Sequence, residues 1–166
     1  LCSVLLLVSL PLLPSAALGR ALQSWDRKID TPARFQILRA FGDQAVLDKE
    51  TGLVWEKRAA LVGNFRNSMR HCAFRNVGGR LGWRLPALEE LLTLVAPDET
   101  TPALPDGAPF ENLLSTAFWT ANEEELDTTL AIGVSLDIFQ VFSLPKTNTG
   151  KVLCCLLYTS DAADEE

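Results

Sequence analysis

The stretch Gly78-Gly79-Arg80-Leu81-Gly82-Trp83-Arg84-Leu85-Pro86 constrains the fold more than any other part of the chain. It places a glycine-rich turn, a tryptophan of buried type and a proline directly before a helical pattern. Glycine supplies backbone angles forbidden to other residues, and proline, with its preset φ and absent N–H, suits a first helical turn. Leu88, Leu91, Leu92 and Val95 then recur at helical spacing, which predicts a helix from about Pro86 to Val95, closed by Pro97. Such a segment specifies architecture and carries nothing that specifies a ligand.

The chain has 166 residues, 48% hydrophobic and 22% charged, enough for one domain with a real core. Part of the apolar content lies outside that core. Val4 to Leu13 is a nearly unbroken apolar run followed by Pro14-Ser15-Ala16-Ala17-Leu18-Gly19, the pattern of a secretory signal and its small-residue cleavage region. The run is too short to span a bilayer. Residues 1–19 therefore read as a signal peptide in preference to a buried strand or helix, clipped at its start because the chain opens on Leu1 without a basic leader. The expected location is extracytoplasmic, secreted or in the cell envelope, with no stable membrane insertion once the signal is removed. Residues 20–34 read as a polar lead-in in which Trp25 has no evident place. At the other end, residues 155–166 resemble the in-frame translation of a transposase adapter used to build sequencing libraries, which would end the native sequence at Cys154. That tail carries Asp161, Asp164, Glu165 and Glu166, four of the six net negative charges, so net charge offers no case for an acidic protein.

Between these ends the pattern is α+β. Ala45-Val46-Leu47 and Leu53-Val54-Trp55 flank Asp48-Lys49-Glu50-Thr51-Gly52 and read as a hairpin. From Asn64 to Val77, Phe65, Met69, Cys72 and Ala73 fall three or four apart, predicting an amphipathic helix with Arg66, Arg70 and Arg75 on its polar side and Gly78-Gly79 at its end. Pro97, Pro102, Pro105, Gly107 and Pro109 mark a long loop. Phe118 to Ala121 reads as a strand. Leu130, Ile132, Val134 and Leu136 alternate with small residues as a half-buried strand should, and strands follow near Ile138 to Phe142 and Val152 to Cys154. Two helices early and strands afterward exclude a wound parallel sheet.

Of four cysteines, Cys2 leaves with the signal and Cys155 falls in the suspected tail. Cys72 and Cys154 remain. In an exported domain two such thiols more often pair than stay free, and closing a loop of that size stabilises by about 4 kcal/mol; two unpaired buried cysteines are the alternative. Two cysteines and one histidine cannot by themselves build a structural zinc site.

Taken in order, Ala45-Val46-Leu47-Asp48, Thr51-Gly52-Leu53-Val54-Trp55-Glu56, His71-Cys72, the glycine stretch through Pro86, Glu90-Leu91, Pro109-Phe110, Phe118-Trp119 and Cys154 resemble the bacterial family named after the C-terminal domain of the Legionella collagen-like adhesin Lcl. The resemblance runs from about Phe35 to Cys154. It implies a C-type-lectin-like fold: two helices packed on small antiparallel sheets, a hairpin that brings the ends together, a long loop region, and a disulfide from Cys72 to Cys154 tying the first helix to the last strand. The family continues past that cysteine with residues this chain lacks, so the last strand is expected to be truncated.

Candidate chemistry is thin. His71 is the single histidine and no nucleophile motif accompanies it, so it reads as a plain helix residue. Glu89 and Glu90 are adjacent and cannot face each other as an acid and base would; solvation and a dipole contact are their expected roles. Asn122, Glu123, Glu125 and Asp127 form an acidic stretch after a tryptophan strand, where calcium is conceivable, but ligand spacing is missing and a solvated loop is the better reading. Lys57 to Arg84 is a basic segment, and every charged residue from Glu89 to Asp137 is an acid. The namesake adhesin binds sulfated glycosaminoglycans, so Arg66, Arg70 and Arg75 are a candidate sulfate-binding face, weighed against their pairing with the later acids. Trp55, Trp83 and Trp119 read as core in preference to sugar-stacking platforms. The expectation is a non-catalytic recognition or adhesion domain, with glycan or sulfated polysaccharide as partner and the Pro97–Pro109 loop, Asn122 to Asp127 and the arginine face as contact surfaces. A structural module that binds other surface proteins is the alternative, and a thiol enzyme, which would need a free, accessible cysteine of low pKa, comes third. Nucleic acid is not an expected partner.

Overall fold

A computed structural model describes residues 28–31, 33–96, 104–113 and 116–158. The expected signal peptide, Trp25, most of the lead-in, residues 97–103 of the proline-rich loop and the tail from Thr159 onward lie outside the described residues. The domain is α+β, with two helices packed against two small, mostly antiparallel sheets. The first sheet has the order β1 (Phe35–Leu38), β2 (Ala45–Asp48), β3 (Leu53–Glu56) and β9 (Cys155–Leu157), all antiparallel. The second runs β4 (Ala60–Gly63), β8 (Gly150–Val152), β5 (Phe118–Glu123), β6 (Leu130–Ser135), β7 (Gln140–Pro145), with only the β5–β8 pair parallel. Helices α1 (Phe65–Ala73) and α2 (Leu88–Leu92) lie between β4 and β5 in sequence. Four strands thus precede the helices, where helices were expected early. Among the described residues no helix is long and apolar enough to cross a membrane.

The β2–β3 hairpin forms where its sequence predicts it, with Val46 opposite Trp55 and Leu47 opposite Val54. Its turn is organised by one buried carboxylate. Asp48 accepts from the Glu50 N–H at 3.0 Å and the Thr51 hydroxyl at 3.0 Å, while Arg34 closes on both of its oxygens at 2.9 and 2.7 Å. Gly52 takes φ 69°, a conformation that disfavours a side chain. A charge with no solvent exposure survives only when paired and hydrogen-bonded in this way. Arg34, read as the end of a lead-in, is therefore an internal counter-ion of the first sheet.

Two apolar clusters fill the domain. One contains Val46, Leu53, Trp55, Leu91, Phe118, Val134 and Leu153; the other contains Phe41, Val54, Phe65, Cys72, Trp83, Trp119 and Cys154. All three tryptophans of the motifs are buried core, as their setting predicts. Because β6 sends Val134 into one cluster and Ala131 into the other, its small residues are as buried as its large ones, and the expected half-buried alternation fails. The next strand starts at Gln140, later than expected, leaving Ile138 and Phe139 exposed in the turn.

α1 begins at Asn64, whose side chain accepts from the Asn67 N–H at 3.0 Å. Its buried face is Phe65, Ser68 and Cys72, while Met69 and Ala73, expected inside, are exposed. Two anchors set this rotation: Phe65 meets Trp119 edge to face at 5.5 Å, and Cys72 is bridged to Cys154. Seven residues apart on one face of the helix, they turn the 68 side inward and the 69 side out. The helix stops at Ala73, before the glycines. Gly78 instead serves the Val77–Arg80 turn, at φ 58°, and a Cβ there would collide with the backbone of Phe41. That close approach lets Phe41 pack edge to face on Trp83 at 6.2 Å. Pro86 lies outside α2, whose cap is Ala87, and α2 is shorter than its periodicity suggests, ending at Leu92.

The Cys72–Cys154 disulfide spans 82 residues with Cα atoms 5.5 Å apart. Leu153 and Cys154 carry the chain from β8 in the second sheet to β9 in the first, so the bridge pins α1 at the crossing between sheets. In the chain-entropy account a loop of this length contributes about 4–5 kcal/mol. Replacing Cys72 and Cys154 together by Ala should lower urea-unfolding stability by that amount, and the reduced wild type should match the double variant. A loss below about 1 kcal/mol would show that the sheets need no staple.

Candidate functional site

The surface that combines charge, shape and exposed carbon lies where the N-terminus of α1 meets the end of β7. The Phe65 N–H donates to the Lys146 carbonyl at 3.0 Å, and the Lys146 N–H donates to the Thr129 carbonyl at 2.9 Å, so three segments meet at one residue. The Lys146 ammonium lies 2.6 Å from a Glu123 oxygen, 2.6 Å from the Thr128 carbonyl and 5.5 Å from the centre of the Phe65 ring. Around it is a cleft of ≈ 600 Å³ lined by Phe65, Arg66, Met69, Arg70, Glu123 and Lys146, among others. The rotation that exposes Met69 gives this cleft an apolar strip between two arginines.

The structure divides the sequence-predicted surface residues. Arg66 and Arg70 are exposed on the free face of α1, and among the described residues neither has a carboxylate partner. Arg75 lies beyond the helix end and ion-pairs with the buried Glu56, so it does not belong to that face. The pairing of basic residues with acids holds elsewhere, with Lys57 and Arg58 on Glu111 and Arg84 on Glu90. Of the acidic stretch, Glu123 alone lines the cleft. Asn122 Oδ1 accepts from the Leu88 N–H at 2.8 Å, supplying to α2 the cap that Ala87 cannot. Asp127 accepts from the Thr129 N–H and hydroxyl at 2.9 and 2.6 Å, and these hydrogen bonds hold its carboxyl below the usual range. Glu125 is exposed. Lys146 was missed, and its signal was available: it is the first base after the long acidic run, directly behind a strand.

A second polar group lies inward of α1. Glu56, 2% exposed, meets the Arg75 guanidinium through one oxygen and accepts the Cys154 N–H at 3.2 Å through the other. His71 stands beside it, with Nε2 buried and without a hydrogen-bond partner. A third group corrects the expected solvation of Glu90, which is buried and held by both Arg84 nitrogens at 2.6 Å and by the Ala87 N–H at 2.8 Å. Burial pushes the Glu90 carboxyl up, but the Arg84 and Ala87 hydrogen bonds outweigh it and hold the group below the ordinary carboxylate range. The free thiol of Cys155 sits 4.0 Å from Glu90, and burial pushes it up to about 12. Cys155 is thus an inner residue of β9, opposite Trp55, and the sheet extends past the boundary read at Cys154. A further cavity of ≈ 590 Å³ adjoins Arg34, but that guanidinium is committed to Asp48 and Glu50.

The family model described as the Lcl C-terminal domain matches residues 44–155, more than half of the chain, and the chain belongs to that family. No curated protein matches it.

Because the Glu90 carboxyl is depressed in the fold, its contribution is present in full above the ordinary carboxylate range and is lost as pH falls below that range through the lowered folded-state value. Glu90→Gln should cost about 1–2 kcal/mol near neutrality, the lower part of the range for charged hydrogen bonds because Arg84 is 44% exposed. Urea midpoints of wild type and variant should converge in acid; a gap that stays constant with pH would assign the loss to packing.

Proposed function

We propose that this member of the Lcl C-terminal domain family is a non-catalytic, extracytoplasmic recognition domain used in adhesion, and that it takes sulfated or otherwise anionic glycans in the cleft beside α1. One observation carries the reading: Arg66 and Arg70, without carboxylate partners among the described residues, converge with Lys146 on a single groove. Arginine presents a planar fork that pairs two hydrogen bonds with a sulfate, and exposed arginines retain that capacity because no internal carboxylate has claimed it. Met69, 44% exposed between them, offers carbon against the apolar face of a sugar ring. The C-type-lectin-like layout inferred from the family resemblance is supported by the pairing of β3 with β9 and by the bridge from α1 to the segment ahead of β9.

A thiol enzyme has little support. Cys72 and Cys154 are bridged and buried, and Cys155 is buried with its thiolate strongly disfavoured. A protein-binding module is a second reading, favoured by Ile138 and Phe139 in the β6–β7 turn and Val141 at the start of the edge strand β7, which together expose apolar surface.

Heparin chromatography of the full chain separates these. Retention is expected, with Arg66→Ala and Arg70→Ala each weakening binding by about 1–2 kcal/mol, close to ten-fold, and eluting at lower salt. Arg58→Ala, at an exposed residue outside the cleft, should elute with wild type. No retention, or equal elution of all three variants, would remove the glycan reading.

A further inference from the structure

The strongest unassigned chemistry surrounds the disulfide. Glu56, His71 and Cys154 each present a donor atom, and these atoms all lie within 4.8 Å of one another. Cys72 stands outside that trio, and its sulfur is bonded to the Cys154 sulfur at the edge of the group. We propose that the reduced form of this domain is a zinc-type metal site, with Cys72, Cys154, His71 and Glu56 as its four ligands, so that disulfide and metal are alternative occupants of one position.

Four observations support this. Zinc takes four N, S and O donors at about 2.0–2.3 Å in a tetrahedron, which asks neighbouring donors to stand roughly 3.3–3.8 Å apart; the donors of Glu56, His71 and Cys154 would draw slightly inward, and the two sulfurs, once the bond between them is reduced, would move apart. The sequence lacked one ligand for such a site, and Glu56 supplies it from β3, far away in the chain. Next, the buried His71 Nε2 has no hydrogen-bond partner, an unusual cost in a folded protein and one that a metal bond would remove. The charges also close: two thiolates, one carboxylate and a neutral imidazole around a divalent ion leave one negative charge, and Arg75 already lies against Glu56 to offset it. Finally, there is access. His71 and Arg75 line a surface cleft of ≈ 450 Å³, and Glu56 and Arg75 line another of ≈ 290 Å³, so Arg75, 38% exposed, stands at both entrances.

The interconversion balances with a dithiol reductant. The dithiol gives two electrons and two protons to the Cys72–Cys154 bond, leaving two thiols and its own cyclic disulfide. The divalent ion then displaces the two thiol protons and binds both sulfurs. Each state fastens α1 to the crossing between the sheets, one by an S–S bond and the other through the ion.

The test uses the full chain, reduced under anaerobic conditions with a dithiol that is then removed, and titrated with cobalt(II) followed by zinc(II). One equivalent of cobalt should give the visible bands of a tetrahedral ion with thiolate charge transfer, zinc should abolish them, and the loaded protein should resist alkylation at Cys72 and Cys154. Cys155→Ala should keep every signal, because that thiol faces the other cluster. His71→Ala and Glu56→Gln should each weaken cobalt binding by at least about 10-fold. Alkylation of the wild type with and without zinc repeats the test without relying on either variant's folding. Absence of tetrahedral bands overturns the proposal whether or not the reduced chain is folded. So does wild-type affinity in both ligand variants, which would mean binding by the thiols alone, or loss of the signal in Cys155→Ala.

Discussion

The fold depends on one crossing. After β8 the chain leaves the second sheet, passes through Leu153 and Cys154, and enters the first sheet as β9. Leu153 fills one apolar cluster and Cys154 the other, so this two-residue link is where both cores are closed. The disulfide fastens α1 to it, and a backbone bond from the Glu56 N–H to the Cys154 carbonyl at 2.9 Å fastens β3 to it. Neither sheet is large enough to define a domain alone. A covalent tie at their junction removes the many loose arrangements in which each sheet is formed but the two are not packed together.

Charge is arranged around that frame by a simple division. Where a carboxylate is buried it is owned by a particular arginine: Asp48 by Arg34, Glu56 by Arg75, Glu90 by Arg84. Each pair sits at a turn or element end and holds it, which is the use that best repays the desolvation of an ion. Arg66 and Arg70 stand apart from this scheme and face the cleft instead. A guanidinium closed on a carboxylate has few donors left to offer, whereas these two keep theirs toward solvent.

The chemistry of the turns and the apolar motifs made much of this legible in advance. The β2–β3 hairpin, the start of α1 and the three buried tryptophans follow from residues close in sequence or from motifs with one structural meaning, whereas the Cys72–Cys154 bridge, between residues 82 apart, was implied by the family resemblance. The misreadings came from long-range packing. Met69 has helical spacing suited to a core, yet the rotation of α1 is decided by Trp119 and Cys154, many residues away. β6 looks half-buried because Ala131 and Gly133 are small, and their size instead reflects a strand enclosed on both faces; a Cβ on Gly133 would press on Leu144. The cleft shows the same limit. Its arginines could be read from α1, but Lys146 comes from the far end of the second sheet and joins them only when β5, β6 and β7 are in register. Cys155 sits opposite Trp55 in the first sheet, a placement that adjacency to Cys154 alone does not reveal.

The two helices begin in different ways. α1 carries its own Asn64, so its first turn is organised by atoms three residues apart. α2 has Ala87 at that place, and its leading N–H groups are met by the Glu90 side chain and by Asn122 of β5. Five residues long, α2 is below the length at which a helix persists in water. Its helical state is therefore borrowed from downstream: the segment behind Pro86 has too few turns to hold a helix by itself, and β5, further on in the chain, lends it the missing acceptor through Asn122.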